Sequence, residues 1–315
     1  MTAGEQQFLE WRSSFWSRQT ECCLVLFGKM CSMATSIPPR LLANCSAVPQ
    51  RQRWLDRLPQ TLEILKDRWS IAVGKPFDSE VSWVAPVTLG SGMPAVLKIG
   101  MPHFEGESEV QGMLFWNGDP TARVIDADVE ANALLLERCI PGMPLSGVPE
   151  EQQDLVIGGL LRRLWRSPAE GHPFRRLSAM LEFWSAETIS ARENWPDAGL
   201  VREGLQLFQE LPRTTDIEVL LATDLHAGNV LRAAREPWLV IDPKPFVGDP
   251  AFDATQHLFN CPVRMRANPR ETIHRFAGLL GLDRERVRLW TFARAAAEPR
   301  DGWNFDDVAL ARTLA

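Results

Sequence analysis

The chain has 315 residues and a mass of 35.5 kDa, which at the usual ~150 residues per domain fits two domains or one unit of two lobes. With 45% hydrophobic and 23% charged residues it is neither a disordered nor a collagen-like chain. A net charge of −6 and a pI of ≈ 5.5 repel phosphate backbones, which argues against nucleic acid as a main partner and suits a small cationic ligand.

Only five residues are lysine (Lys29, Lys66, Lys75, Lys98, Lys244), so a lysine in a special place stands out. The cysteines are Cys22, Cys23, Cys31, Cys45, Cys139 and Cys261, and no pair or Cys/His cluster has zinc-ligand spacing. They read as idle thiols of a reducing compartment. The longest apolar stretch, residues 22–27, is far short of the ~20 a spanning helix needs. Acids at Glu5, Glu10 and Glu21, with no small-residue cleavage site close behind, speak against a signal peptide. The expected location is the cytoplasm, with no membrane partner.

Residues 1–32 follow no apolar period and are expected to be a leader, disordered or non-native. From Trp54 to Trp69 the pattern is helical: Trp54, Leu58, Leu62, Leu65 and Trp69 recur at three- and four-residue steps. Gly74-Lys75-Pro76 closes that unit. Two strands are expected at Val81–Val87 and Ala95–Ile99, joined by a hairpin turn at Leu89-Gly90-Ser91-Gly92. Residues 105–116 read as one helix, followed by strands near Ala122–Ile125 and Ala133–Leu136. Beyond Pro141-Gly142 helices dominate, at Glu150–Trp165, Phe174–Asn194, Leu200–Leu211, Arg270–Leu280 and Arg284–Ala297. One short β island interrupts them at 229–242. The expected fold is therefore α+β and bilobal: a small β-rich N-lobe over 33–138, a hinge near Glu137–Pro141, and a larger, mostly helical C-lobe over 139–315.

The chemistry concentrates in Thr223-Asp224-Leu225-His226-Ala227-Gly228-Asn229 and Ile241-Asp242-Pro243. Between Asn229 and Asp242 the chain reads strand, turn, strand, and a hairpin sets its two open ends side by side. An amide oxygen and a carboxylate placed together are hard ligands suited to Mg²⁺, with triphosphate oxygens completing the shell. Asp224, on the loop entering the hairpin, can face the same point and accept a proton from a substrate hydroxyl. A loop Asp, an Asn further along and a second Asp after the next strand are the parts of phosphoryl transfer in a protein-kinase-like fold.

The other half should be a strand lysine paired with a helical glutamate. Lys98 lies in an apolar strand, where a charge is costly unless used, and would hold the α- and β-phosphates of ATP. Glu105, Glu107 and Glu109 follow; Glu109 borders the apolar face of Val110, Met113 and Leu114 and is the expected partner. No GxGxxG loop precedes Lys98 and no Walker A motif occurs, leaving Ser79 or Ser82 to cover the phosphates. His226 is expected to order its loop.

The stretch Thr223–Leu231, with Glu236–Pro245 and Val247–Asp253, resembles the streptomycin 6-kinase family of aminoglycoside phosphotransferases, the aminoglycoside/hydroxyurea resistance kinases. Ala95–Lys98, Leu135–Arg138 and Arg286–Trp290 extend the resemblance over about residues 50–300. It implies transfer of the γ-phosphate of ATP to a hydroxyl of an antibiotic such as streptomycin. It also implies Asp224 as base, Asn229 and Asp242 as Mg²⁺ ligands, Lys98 on ATP, and Asp253 bracing the loop after the metal Asp. Relatives carry His where this chain has Ala222, and Gly or Trp where it has Thr223, so a looser catalytic loop is expected here. A metabolite or amino-alcohol kinase and a nucleotide-binding pseudokinase are the alternatives. Late acids Glu298, Asp301, Asp306 and Asp307 are candidates to meet a guanidinium-bearing substrate.

Overall fold

The computed structural model describes residues 35–46, 48–298 and 302–315, so the expected leader at 1–32 and Asp301 lie outside the described residues. Helix α1 (Pro39–Ser46) leads into α2 (Pro49–Trp69), which starts ahead of the predicted Trp54 because Pro49 sits in its first turn, where proline costs nothing. Leu55, Leu58, Leu62 and Leu65 form the buried stripe of α2, as their spacing requires.

Five strands follow: β1 (Ile71–Val73), β2 (Ser82–Leu89), β3 (Pro94–Gly100), β4 (Val124–Asp128) and β5 (Ala133–Glu137). They form one antiparallel sheet in the order β1-β2-β3-β5-β4. Strand β3 is central, and Lys98 faces Val84 on one side and Leu134 on the other. The two-residue period of a strand sends Ala95, Leu97 and Ile99 into the core with α2. Val96 and Lys98 take the opposite face, beneath helix α3 (Glu109–Trp116) with Val110 and Met113.

The single helix expected over 105–116 is two pieces: a 3₁₀ turn at Phe104–Gly106, then α3. Gly106 passes so close to His103 that a Cβ there would stand 2.2 Å from the imidazole Cε1. The strand expected at Ala122–Ile125 also starts late. Ala122 is drawn instead to Val240, whose carbonyl accepts its N–H at 2.9 Å, tying the sheet to the helical part.

That part contains, among the described residues, α4 (Glu150–Leu164), α5 (Leu177–Ser190), α6 (Ala198–Glu210), α7 (Pro250–Phe259), α8 (Pro262–Ala267), α9 (Pro269–Leu280), α10 (Arg284–Ala297) and α11 (Phe305–Leu314). Helix α10 has its predicted bounds, with Asp283 capping it by accepting the Arg286 N–H. Helix α5 is shorter than Phe174–Asn194, because Arg176 is extended and bridges Val247. Phe252 of α7 and Trp290 of α10 meet edge to face at 5.2 Å in the core.

The expected β island is the hairpin β7 (Val230–Arg232) and β8 (Trp238–Val240). A second pair, β6 (Val219–Leu221) and β9 (Phe246–Gly248), was not anticipated: all six residues are buried, so no alternation betrays them. Their registers place Leu221 opposite Phe246 and Val230 opposite Val240. The loop 222–229 and the segment 241–245 are therefore both held between the same two strand pairs. No helix among the described residues is long and apolar enough to cross a membrane.

Candidate active site

Breaking the 105–116 helix sorts its three glutamates. Glu105 accepts from the Trp184 indole at 3.0 Å, and Glu107 pairs with Arg175 at 3.2 Å. Glu109, 4% exposed at the start of α3, meets the Lys98 ammonium at 2.5 Å. Lys98 also reaches Asp242 Oδ1 at 2.5 Å, although 144 residues separate the two in the chain.

Lys98 and Asp242 close one end of a cavity of about 600 Å³ between the sheet and the helical part. Val96, Leu136, Ile140 and Ile241 make its walls apolar, and Lys98 and Asp242 make one end charged. Ser79 and Ser82 both line it, with the Ser79 hydroxyl donating to the Ser82 carbonyl. An apolar slot with one charged end suits a flat heteroaromatic base followed by phosphates.

Asn229 and Asp242 leave adjacent ends of the β7–β8 hairpin, as expected, with the Ile241 N–H donating to the Asn229 carbonyl at 2.9 Å. The Asn229 amide nitrogen donates to the Asp224 carbonyl at 3.0 Å, so its own carbonyl oxygen is left to face elsewhere. The Asp242 carboxylate keeps 30% of its side chain exposed toward the cleft. Burial alone would raise its pKa, but the charges of Lys98 and Lys244 overcome that and hold it well below the usual carboxylate range. An amide oxygen and an ionised carboxylate are a donor set that fits Mg²⁺.

Three residues of the site went unassigned in the sequence. Lys244, 5% exposed, donates from Nζ to the same Asp242 Oδ1 that Lys98 uses. Burial pulls its pKa down, but Asp242 and then Glu109 outweigh that and raise it. Gln256 of α7 donates to Asp224 Oδ1 at 2.8 Å and accepts from Arg294 at 2.8 Å. Thr223 donates its hydroxyl to the Lys244 carbonyl at 2.6 Å. The scarcity of lysine was the one available signal for Lys244; nothing in the sequence marked Gln256.

Thr223 also corrects the expectation of a loose loop. Ala222 is fully buried, its carbonyl accepting the Lys244 N–H at 2.7 Å. A histidine at 222 could tie the loop to the backbone near Asp242, and here the Thr223 hydroxyl, one residue on, makes such a tie. Thr223 holds a left-handed backbone, φ 46°, which a β-branched residue adopts only when its surroundings impose it. His226 orders only its own turn, Nδ1 accepting the Gly228 N–H at 3.1 Å.

Asp253 braces a different place from the one expected. It accepts the N–H groups of Ala222 at 2.9 Å and Thr223 at 2.6 Å, and the Trp165 indole at 3.1 Å. It therefore fixes the entry to Asp224, not the loop after Asp242. Complete burial raises its pKa to about 6 against the pull of these donors.

Of the late acids, Asp306 pairs with Arg266, and Glu298 with Arg294 at 2.5 Å. Glu298 and Asp307 line a second cavity of about 240 Å³, with Gln256, Phe259 and Arg294. The fold also gathers Asp154, His257 and Cys261 within 4.8 Å, which their sequence spacing did not suggest. Arg264 fills that cluster, donating to both Asp154 oxygens at 2.7 Å. A guanidinium there leaves no place for a cation, and the group is a buried brace between α4, α7 and α8.

Comparison with known proteins agrees with this fold. The choline kinase LicA from Streptococcus pneumoniae superposes with a TM-score of 0.53 at 13% identity, over 80% of this chain and 96% of that one, and shares the protein-kinase-like fold. The Streptomycin 6-kinase of Streptomyces glaucescens is 34% identical over 294 residues, 89% of this chain and 94% of its own length. The Hydroxyurea phosphotransferase of Kitasatospora aureofaciens is 36% identical over 272 residues, 82% and 77% of the two chains. The sequence model of one kinase family matches residues 68–304, and on that match and these identities the chain belongs to the aminoglycoside/hydroxyurea antibiotic resistance kinases, phosphotransferases with a nucleotide phosphate donor.

Proposed function

We propose that the chain transfers the γ-phosphoryl group of ATP to a hydroxyl of an aminoglycoside of the streptomycin type, with Mg²⁺, in the cytoplasm. In this reading residues 33–138 bind ATP, and 139–315 carry the catalytic loop and the acceptor. Lys98 holds the α- and β-phosphates, and Glu109 holds Lys98. Asn229 and Asp242 would hold Mg²⁺, whose charge offsets that of the phosphates when it is bound. Asp224 orients the acceptor hydroxyl and takes its proton. As the acceptor oxygen bonds to the γ-phosphorus, the bond from that phosphorus to the bridging oxygen breaks, and ADP leaves with the electron pair.

The observation that carries the acceptor class is the cavity behind Asp224. Gln256 both lines it and hydrogen-bonds Asp224, and its charged lining is Arg294 against Glu298 and Asp307. Burial pushes the Asp307 carboxyl up, with Asp306 and Glu298 adding to the effect. A cationic guest would relieve that cost; a small neutral acceptor such as hydroxyurea would not. The test is ATP-dependent phosphorylation of streptomycin, hydroxyurea and a set of amino alcohols side by side. A kcat/KM for streptomycin at least tenfold above the others supports the reading. A preference for hydroxyurea or for an amino alcohol overturns it.

A further inference from the structure

Lys244 is the second buried lysine at Asp242, and its backbone is tied to the loop 222–229. Its N–H donates to the Ala222 carbonyl at 2.7 Å, and its carbonyl accepts the Thr223 hydroxyl at 2.6 Å. Pro243 and Pro245 flank it and stiffen the segment. Lys98 stands on the central strand of the sheet. Two ammonium groups thus converge on Asp242, one fixed to the sheet and one to the residues just before Asp224.

They converge on a single oxygen. Among the described residues, both hydrogen bonds to the Asp242 side chain end on Oδ1. In protein kinases two Mg²⁺ ions are held by the corresponding Asp and the loop Asn. An Asp that bridges two ions needs both oxygens, and here one is already shared by two cations. Two buried ammonium groups, Lys98 and Lys244, stand against two carboxylates, Glu109 and Asp242, so the cluster is neutral without a metal ion.

We infer that Lys244 is a catalytic residue whose ammonium faces the transferring phosphoryl group and supplies the charge of a second metal ion, so that the enzyme works with one Mg²⁺ per nucleotide. The inference rests on the phosphotransfer reading above. Lys244 forms no covalent bond and keeps its protons. The acceptor proton still goes to Asp224, and the electron pair of the broken phosphorus–oxygen bond still leaves on ADP.

The first test needs no acceptor and no variant. The full chain is saturated with a non-hydrolysable imido analogue of ATP, and Mn²⁺ binding is counted by electron paramagnetic resonance. One Mn²⁺ per chain is expected; two per chain overturn the inference. The second test compares Lys244→Met with Lys98→Met, with turnover read as phosphotransfer or, where no acceptor is taken, as ATP hydrolysis. Losing a preorganised donor at the transferring group typically costs ~10²–10³ in kcat, and that loss is expected for Lys244→Met. Its affinity for ADP should stay within about threefold of the parent, because ADP lacks the group Lys244 faces. Lys98→Met should weaken ADP at least tenfold, since Lys98 grips the phosphates that remain. A Lys244→Met enzyme with turnover within threefold of the parent, or with ADP affinity lost as in Lys98→Met, overturns the inference. If Lys244→Met fails to fold, the Mn²⁺ count on the parent still decides. A parent that binds one Mn²⁺ with nucleotide but phosphorylates neither streptomycin nor hydroxyurea overturns the acceptor reading and supports this one.

Discussion

Replacing Thr223 with Val removes one hydroxyl and keeps the shape of the side chain. That hydroxyl donates to the Lys244 carbonyl at 2.6 Å, in a site where Thr223 is only 5% exposed. The net value of such a bond is ~0.5–1.5 kcal/mol, and leaving its buried acceptor unsatisfied costs ~1–3 kcal/mol. The second figure contains the first, so the expected loss is about 1–3 kcal/mol. The strain of the left-handed backbone at φ 46° is common to Thr and Val and cancels in the comparison. For a chain of this size each kcal/mol lowers the melting temperature by about 2–4 °C. If the loss instead falls on the active geometry of the loop, it corresponds to a roughly 5- to 150-fold fall in kcat. Thermal denaturation and steady-state kinetics of Thr223→Val and Thr223→Ser, run together, read both. Ser keeps the hydroxyl and should stay close to the parent. If Val matches the parent in stability and in turnover, the hydroxyl does not brace the loop. Ala222→His should bring no gain in turnover, because the link an imidazole would restore is already made; a severalfold gain would show that the loop is still loose.

Gln256→Leu, which leaves Asp224 Oδ1 without its amide donor, should lower kcat about tenfold or more with little change in the KM for ATP; an unchanged kcat would remove Gln256 from the positioning of the base. Gly112→Ala places a Cβ 2.3 Å from Pro245 Cγ, and overpacking of this kind costs ~1–3 kcal/mol. Because Pro245 follows Lys244, the variant should show a raised KM for ATP beside a lower melting temperature, and a purely thermal effect would contradict the coupling. The folded protein holds the Asp253 proton more tightly than the unfolded chain does, with a pKa raised from 3.8 to about 6. Its contribution to stability is therefore complete below 3.8 and lost as pH rises through 6. As pH rises from 3.8 through about 6 the melting temperature should shift less favourably in the parent than in Asp253→Asn, and parallel pH profiles would contradict that burial effect.

Much of the site could be read in the sequence because its spacing is local. Asp224, Asn229 and Asp242 are set by one short loop and one hairpin, and Lys98 by alternation along a strand. The pairing of Lys98 with Glu109 follows from the place of Glu109 beside an apolar face, although the helix starts at Glu109 and not at 105. The chain is a 3₁₀ turn at Phe104–Gly106 and then α3, and Glu105 and Glu107 meet Trp184 and Arg175 of the helical part. Lys244 and Gln256 reach the site across elements: one is placed by ties to Ala222 and Thr223, the other by the packing of α7 against the loop 222–229. No periodicity encodes such contacts. Strands β6 and β9 leave no pattern in the sequence because they are three residues long and buried on both faces.

The central claim is tested most directly by incubating parent and Asp224→Asn with γ-labelled ATP, Mg²⁺ and streptomycin, while measuring nucleotide binding to both. The parent should transfer label to a streptomycin hydroxyl. Asp224→Asn should bind nucleotide as the parent does, yet transfer at least ~10²–10⁴-fold more slowly, the usual cost of losing a general base. Transfer by Asp224→Asn at close to the parental rate, or no labelled streptomycin from a parent that binds ATP, would contradict the account.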